Sequence, residues 1–464
     1  MDYFKRTRIA KILVEDSIPT SQDLLILGWV RTIRESSNVA FIEINDGSCM
    51  NNLQAVVNNP KDFPVLKDIL TGAAIRAEGK LIESPAKGQK YDFVVEKLDL
   101  VGPADQSYPL QKKRHSFEYL REIAHLRMRT NTLGAVNRVR SSIAYAIHKF
   151  FQDRGFYYIH TPVITASDTE GAGDMFRVTT FALNKAPLVD GSIDFNEDFF
   201  GAETFLTVSG QLEAEVAAQA LGDVYTFGPT FRAENSNTAR HASEFWMIEP
   251  EMAFCDLRGD MEIAVDFLKY LFRWALEKCA SDMTFFNQWV DKGLIERLEH
   301  VVNSDFERLP YTEAIKILEK SGEKFEFPVS WGLDMQSEHE RYLTEKVFKK
   351  PVIVFDYPKK IKAFYMRVND DGKTVGAMDV LVPKIGEIIG GSQREERYDV
   401  LLAHMKEKGM NTALYDWYLD LRKYGTTPHS GFGLGFDRTL MYITGMANIR
   451  DVSPFPRVPR WAKF

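Results

Sequence analysis

Residues 231–252 read FRAENSNTARHASEFWMIEPEM. The stretch holds two arginines, one histidine and four glutamates among apolar residues. A buried strand cannot carry such a load unpaired, because each uncompensated buried charge is strongly destabilising. A solvated strand has no use for Phe245, Trp246, Met247 and Ile248 in a row. The flanks VYTFGPTFRAE and EFWMIEPEMAF are both strand-like, which leaves open what the charges hold.

Outward from this stretch the pattern stays mixed. Upstream, Val136, Val139, Ile143, Ile147 and Phe150 recur at helical spacing, and Gly155 supplies a stop. FYYIHTPVIT follows as a strand, and Pro162 makes it an edge or interface strand. TFLTVSG is another strand. Downstream, Asp260 to about Lys320 is mostly helical. Strands return at PVIVFDYP, KAFYMRVN, VGAMDVLVP and GEIIGGS. REERYDVLLAHMKEKG reads as a helix, and GFGLGFDRTLMYITG as a glycine-rich turn running into a helix. The order is not strict βαβ alternation, which predicts an α+β fold with a mainly antiparallel sheet flanked by helices.

The N-terminal part is different. LLILGWVRTIR, VAFIEINDGS, LQAVVNN, AAIRAEGKLIES and YDFVVEKLDLVG are short β-rich runs separated by turn formers. Five strands with one helix-compatible insert near KDFPVLKDIL match an OB-type barrel, though periodicity alone equally allows another small barrel. The expected organisation is a barrel over 1–105, a basic connector over 106–130 and a second domain over 131–464.

Bulk properties narrow the class. The chain has 464 residues, 45% hydrophobic residues and a net charge of −7, so nucleic-acid binding would need a local basic patch. The three cysteines, Cys49, Cys255 and Cys279, form no CxxC pair, which fits a reducing cytoplasm. MDYFKRTRIAKILVED lacks the apolar run of a signal peptide, and no membrane span is expected.

Several charged elements suit a phosphate-bearing ligand. Arg232 and Arg438 offer guanidinium forks for phosphate oxygens. The glycines of GFGLGFDR allow close approach of a backbone, and tight strand packing would explain them as well. Their spacing is neither a dinucleotide fingerprint nor a P-loop. Asp379 and Glu387 flank a turn in VGAMDVLVPKIGEIIGG. They suit Mg²⁺, and a pair of surface acids at strand ends is the simpler alternative.

FRAE with RHASEF resembles motif 2, and GFGLGFDR motif 3, of the class II aminoacyl-tRNA synthetases. The segment at about 135–165 resembles the dimer-forming motif 1. An OB barrel before this core resembles subclass IIb, the aspartyl, asparaginyl and lysyl enzymes. TEGAGDMF, VSGQLEAE, RHASEFWMIEPEM and GEIIGGSQREER look most like the asparagine-specific members.

The resemblance implies a cytoplasmic homodimer that uses ATP and Mg²⁺ to join L-asparagine to tRNA(Asn) through an adenylate. It implies that Arg232 holds the α-phosphate and Glu234 accepts from the adenine amino group. Phe245 and Arg438 would sandwich adenine, and Arg438, His241 and Arg240 would meet the outer phosphates. Asp437 is counted with the ATP site, and Asp379 and Glu387 with the metal. Glu170, Ser209 and Gln211 would contact the α-amino end, and Arg394 the side-chain oxygen. Glu249 would accept from the amide and repel a carboxylate, and it could equally pair with Arg394. Asn235 to Ala239 would form a mobile loop.

In the aspartyl enzymes a lysine follows the QL pair at the place held here by Ala214, so a positive charge is missing. On the barrel, Phe41 would stack on an anticodon base, Gln54 would read a base edge, and Arg31 lies on the neighbouring strand. The rival readings are an aspartyl enzyme, a paralogue that amidates free aspartate, and a pure RNA-binding protein.

Overall fold

The computed structural model describes residues 3–169, 175–236 and 238–464. The chain forms two compact units, Met1–Arg140 with Phe464, and Ser141–Lys463. The division falls inside helix α1 (Asn131–Gln152) rather than at Asn131. The cause is packing: Leu133, in the first turn of α1, joins Leu110 and Leu120 of the connector in one apolar cluster.

In the first unit, strands β1 (Asp23–Glu35), β2 (Val39–Asn45), β3 (Leu53–Asn58), β4 (Ala74–Glu83) and β5 (Tyr91–Gly102) close a barrel in the order β1-β2-β3-β5-β4. Alternation places Leu24, Ile26, Ile42, Ile44, Leu53, Ala55, Ala77, Leu81 and Phe93 inside. The insert between β3 and β4 is two 3₁₀ turns, Pro60–Asp62 and Pro64–Asp68, because each proline opens a turn and breaks a continuous helix. The basic connector is docked on the barrel rather than free. The Arg129 guanidinium lies over the Trp29 ring at 5.7 Å, and a side chain at Gly72 would meet Tyr108.

The second unit is built on one eight-stranded sheet. Its strands are β6 (Tyr157–Tyr158), β7 (Asp223–Phe231), β8 (Glu244–Ala253), β9 (Glu307–Pro310), β10 (Val352–Pro358), β11 (Thr374–Val382), β12 (Gly386–Gln393) and β13 (His429–Gly435). The order is β9-β10-β11-β12-β13-β8-β7-β6, antiparallel except at the β9/β10 and β7/β6 pairs. Val136, Val139, Ile143, Ile147 and Phe150 of α1 are all fully buried, as their spacing predicts.

Helices α2 (Gln211–Leu221), α3 (Leu257–Lys278), α4 (Ala280–Trp289), α5 (Leu294–Asn303), α6 (Tyr311–Glu319), α7 (Ser337–Arg341), α8 (Tyr398–Glu407) and α9 (Phe436–Thr444) belong to the same unit, as does the short helix Asp416–Asp420. No helix among the described residues is long and apolar enough to cross a membrane.

Three local readings change. KAFYMRVN is not a strand but an irregular run with isolated bridges at Met366 and Val368. FYYIHTPVIT splits into edge strand β6 and a two-residue strand, Ile164–Thr165, in a separate small sheet, with Pro162 in the break. The glycine-rich GFGLG is not a turn but the body of β13. Neighbours fill the space beside two of its glycines, Gly431 and Gly433. A Cβ on Gly431 would lie 2.4 Å from the Glu251 carboxylate, and one on Gly433 would lie 2.8 Å from the Met247 methyl.

Candidate active site

The central strands β8, β11, β12 and β13 carry two clefts on one face. The first, about 200 Å³, is lined by Arg232, Glu234, Arg240, His241, Phe245, Asp437 and Arg438, among others. The second, about 230 Å³, is lined by Ser209, Gln211, Glu249, Glu251, Lys362, Asp379 and Arg394, among others. Arg232, Met247, Glu387 and Gly433 line both. A fixed cation and an acid therefore stand where the two clefts meet. The first cleft suits a nucleotide, the second a small polar molecule, and Arg232 suits the group that joins them.

In the first cleft the Arg232 guanidinium lies 5.5 Å from the centre of the Phe245 ring. Arg438, in the first turn of α9, donates to the Glu387 carbonyl at 3.2 Å. Asp437 accepts the Trp246 N–H at 3.1 Å and is almost fully buried, so at least part of its work is to tie α9 to β8. Arg240 donates to Ser337 Oγ at 3.1 Å and to the Ile385 carbonyl at 3.3 Å. His241 is held within its loop by Thr238 Oγ1 at 2.6 Å. Partial burial, with Arg438 nearby, lowers the pKa of its imidazole and favours the neutral form.

Asp379 and Glu387 converge where the sequence places them, on the paired strands β11 and β12. A Cβ on Gly390 would lie 3.1 Å from Glu387 Oε1 and 3.5 Å from Asp379 Oδ1. Both carboxylates thus overhang a bare stretch of backbone. Burial, and then the nearby Asp379, raises the pKa of the Glu387 carboxyl. These oxygens fit a hard divalent ion that completes its shell with substrate phosphates and water. No group of three or more His, Cys, Asp or Glu suited to a metal occurs among the described residues.

Lys362 is an addition that the sequence reading did not foresee. Its ammonium sits 2.8 Å from Asp379 Oδ2 and 3.9 Å from the centre of the Tyr357 ring. The clue was a lone cation in the apolar run KAFYM.

The second cleft corrects one assignment. The carboxylate paired with Arg394 belongs to Glu251, not Glu249. Arg394 Nε donates to Glu251 Oε2 at 3.1 Å, and a second fork bond joins Nη2 to Oε1. Glu249 instead accepts from Ser209 Oγ, from the Gly210 N–H at 3.1 Å and from Thr226 Oγ1 at 3.0 Å. Both glutamates lie on one face of β8, two residues apart. The choice is set by register, because Glu251 is opposite Gly431, where no side chain competes for its place.

Burial works against the charge on Arg394, but Glu251 outweighs it and holds the guanidinium above its ordinary pKa. Beneath lies a closed network. Gln211 donates to Glu215 at 3.1 Å, and Arg422 and His429 hold the other Glu215 oxygen at 2.8 and 3.0 Å. Ala214 is buried with Ala218 and Val224, so it brings no positive charge to the cleft. Glu170 and the rest of its loop to residue 174 lie outside the described residues, while Thr169 is buried at the second cleft.

On the barrel, Phe41 is half-buried and pairs across β2/β3 with Val56, while Glu43 pairs with Gln54. Phe41 and Gln54 therefore share the outward face. Gln54 donates to Asp92 at 3.2 Å, which fixes its amide. Arg31 does not join them. It sits at the bulge of β1 and donates to the Arg129 carbonyl, whereas exposed Arg34 pairs with Phe41.

Residues 116–459 match the family of tRNA synthetases class II (D, K and N), and residues 24–101 match the OB-fold nucleic acid binding domain. The chain belongs to the class II tRNA synthetases. Among its relatives, the asparagine--tRNA ligase of Geotalea uraniireducens (strain Rf4) is 61% identical over 464 residues, covering 99% of this chain and 100% of that protein. The asparagine--tRNA ligase of Clostridium perfringens (strain 13 / Type A) is 61% identical over 95% of each chain. The crystal structure of asparaginyl-tRNA synthetase from Pyrococcus horikoshii, complexed with asparaginyl-adenylate, superposes with a TM-score of 0.85 at 32% identity, covering 98% of each chain. In this class II synthetase both clefts lie within the residues that the family matches.

Proposed function

We propose that the protein activates L-asparagine with ATP and transfers it to tRNA(Asn). The observation that carries this reading is the pair of clefts joined at Arg232 and Glu387, the second of them holding Arg394 already neutralised by Glu251. The asparagine carboxylate attacks the α-phosphorus of ATP, the bond to the bridging oxygen breaks, and pyrophosphate leaves. The terminal ribose hydroxyl of tRNA then attacks the acyl carbon, and AMP leaves.

No side chain is needed as a nucleophile. Arg232 stabilises charge on the α-phosphate, Phe245 and Arg438 hold adenine between them, Glu234 accepts from its amino group, and His241 and Arg438 bind the outer phosphates. Asp379 and Glu387 would hold Mg²⁺, which offsets polyphosphate charge when bound. In the second cleft, Ser209 and Gln211 serve the amino end, with Glu170 proposed to join them. Arg394 donates to the side-chain oxygen, and Glu251 excludes a second negative charge. Charging of a tRNA(Asn) transcript by the purified protein tests the whole reading, and failure with competent transcript would reject it.

The barrel supports anticodon reading through Phe41 and Gln54. Gln54→Ala is expected to remove about 1–3 kcal/mol of discrimination between the native anticodon and a single-base variant, the scale of one base-edge contact. Equal charging of both transcripts by wild type and variant would remove Gln54 from the interface.

A homodimer through the motif 1 region is part of the same proposal. Tyr145, Tyr157 and Tyr158 are 61%, 58% and 46% exposed, and β6 is an edge strand of the sheet. Exposed aromatics along a sheet edge suit burial by a second copy. Tyr157→Asp is expected to shift the sedimenting species from dimer to monomer, and an unchanged dimer would exclude this face.

A further inference from the structure

The helices between β8 and β10 lie outside the motifs and touch neither cleft over most of their length. Three carboxylates from this region, Asp291, Glu340 and Glu345, reach one small target, the tip of the β11–β12 hairpin. That hairpin carries Asp379 on one strand and Glu387 on the other. The Lys384 ammonium, at the tip, sits 2.6 and 2.7 Å from the two oxygens of Asp291, in the turn between α4 and α5. The Lys384 N–H donates to Glu345 at 2.7 Å, and the Glu387 N–H donates to Glu340 at 3.0 Å.

Asp291 is itself built in. Arg297 holds it at 2.7 Å, and a Cβ on Gly445, just past the end of α9, would fall 2.4 Å from the Asp291 Cβ. Glu340 likewise fills the space a side chain at Gly386 would take, 2.2 Å from where its Cβ would stand.

Lys384 adopts φ +76°, a left-handed conformation in which a glycine is at ease and a lysine is strained. Strain retained at such a position implies that the side chain is needed. The turn alone does not need it, since the side chain reaches away to Asp291. Burial works against the charge on Asp291, but Lys384 and Arg297 outweigh it and hold the carboxyl below its usual range.

We propose that the helical segment 280–347 is a clamp on the hairpin tip, and that Lys384 is a positioning residue that sets Glu387 for nucleotide and cation binding. The proposal rests on the synthetase reading above and extends it to a segment that reading leaves without a role. Partners that orient a metal-binding carboxylate typically change affinity about 10–100-fold when removed.

Lys384→Gly separates positioning from mere stability, because glycine relaxes the turn while it removes the ion pair to Asp291. Calorimetric binding of MgATP without amino acid is expected to weaken about tenfold in Lys384→Gly and in Asp291→Asn. Lys384→Arg is expected to stay within about twofold of wild type, since it keeps the ion pair. Asparagine affinity without ATP stays unchanged, and the melting temperature of Lys384→Gly does not fall.

MgATP affinity in Lys384→Gly equal to wild type overturns the clamp. So does a parallel loss for MgATP and asparagine with a lower melting temperature, which would mark a structural role only. Wild-type protein that binds no MgATP would instead overturn the synthetase reading itself.

Discussion

Arg438→Ala is expected to lower ATP–pyrophosphate exchange by about a thousandfold while tRNA affinity stays nearly intact. Arg438 stands at the N-terminal turn of α9, and its guanidinium reaches the Glu387 carbonyl at 3.2 Å. It can therefore meet adenine on its flat face and the outer phosphates along its edge. Loss of one fixed cation from a phosphate site costs about 3–4 kcal/mol of transition-state stabilisation, on the scale of a deleted oxyanion donor. Arg438→Lys keeps the charge and loses the planar fork, so it is expected to fall between wild type and alanine. Exchange at the wild-type rate in Arg438→Ala would remove α9 from the nucleotide site.

The second large effect concerns choice of amino acid. Aspartate and asparagine have nearly the same shape, so only charge and hydrogen-bond polarity can separate them. Arg394 alone would favour a carboxylate. Arg394 held in a two-point contact by buried Glu251 presents a neutral pair, which accepts an amide and leaves an extra negative charge uncompensated. Glu251→Gln keeps the shape and removes the charge. It is expected to shift the aspartate-to-asparagine activation ratio by about a hundredfold or more toward aspartate, the scale reached by sites that read polar groups. The same change leaves Arg394 buried without its carboxylate, so stability is also expected to fall, by about 3 kcal/mol. Glu249→Gln is expected to perturb the Ser209 and Gly210 contacts instead, with a smaller change in the ratio. A larger shift from Glu249→Gln than from Glu251→Gln would reverse the assignment made from geometry.

The contrast between these two glutamates shows where sequence reading stops. Both stand in IEPE with the same strand phase, so alternation places both toward the cleft. Only the pairing of β8 with β13, and the missing side chain at Gly431, decides which of them meets Arg394. Arg31 has the same lesson. One bulge in β1 turns it away from the face that holds Phe41 and Gln54. The glycines of GFGLG look like a turn because glycine is a turn former, but here they answer to side chains on the neighbouring strand.

What sequence could deliver was of a different kind. The barrel strands follow from period-two burial, α1 from helical spacing, and the residues gathered at the first cleft from the resemblance to motifs 2 and 3. The Asp291–Lys384 pair was illegible because its members stand 93 residues apart and belong to no motif, and Lys362 was illegible because it lies in an irregular run that reads as a strand.

The most direct measurement is ATP–pyrophosphate exchange by the purified protein, with asparagine and aspartate side by side. The joined clefts and the neutral Arg394–Glu251 pair predict exchange with asparagine, and exchange with aspartate weaker by about a thousandfold. Exchange with aspartate equal to or above that with asparagine would contradict the account of the second cleft, and exchange with neither would contradict the adenylation chemistry itself.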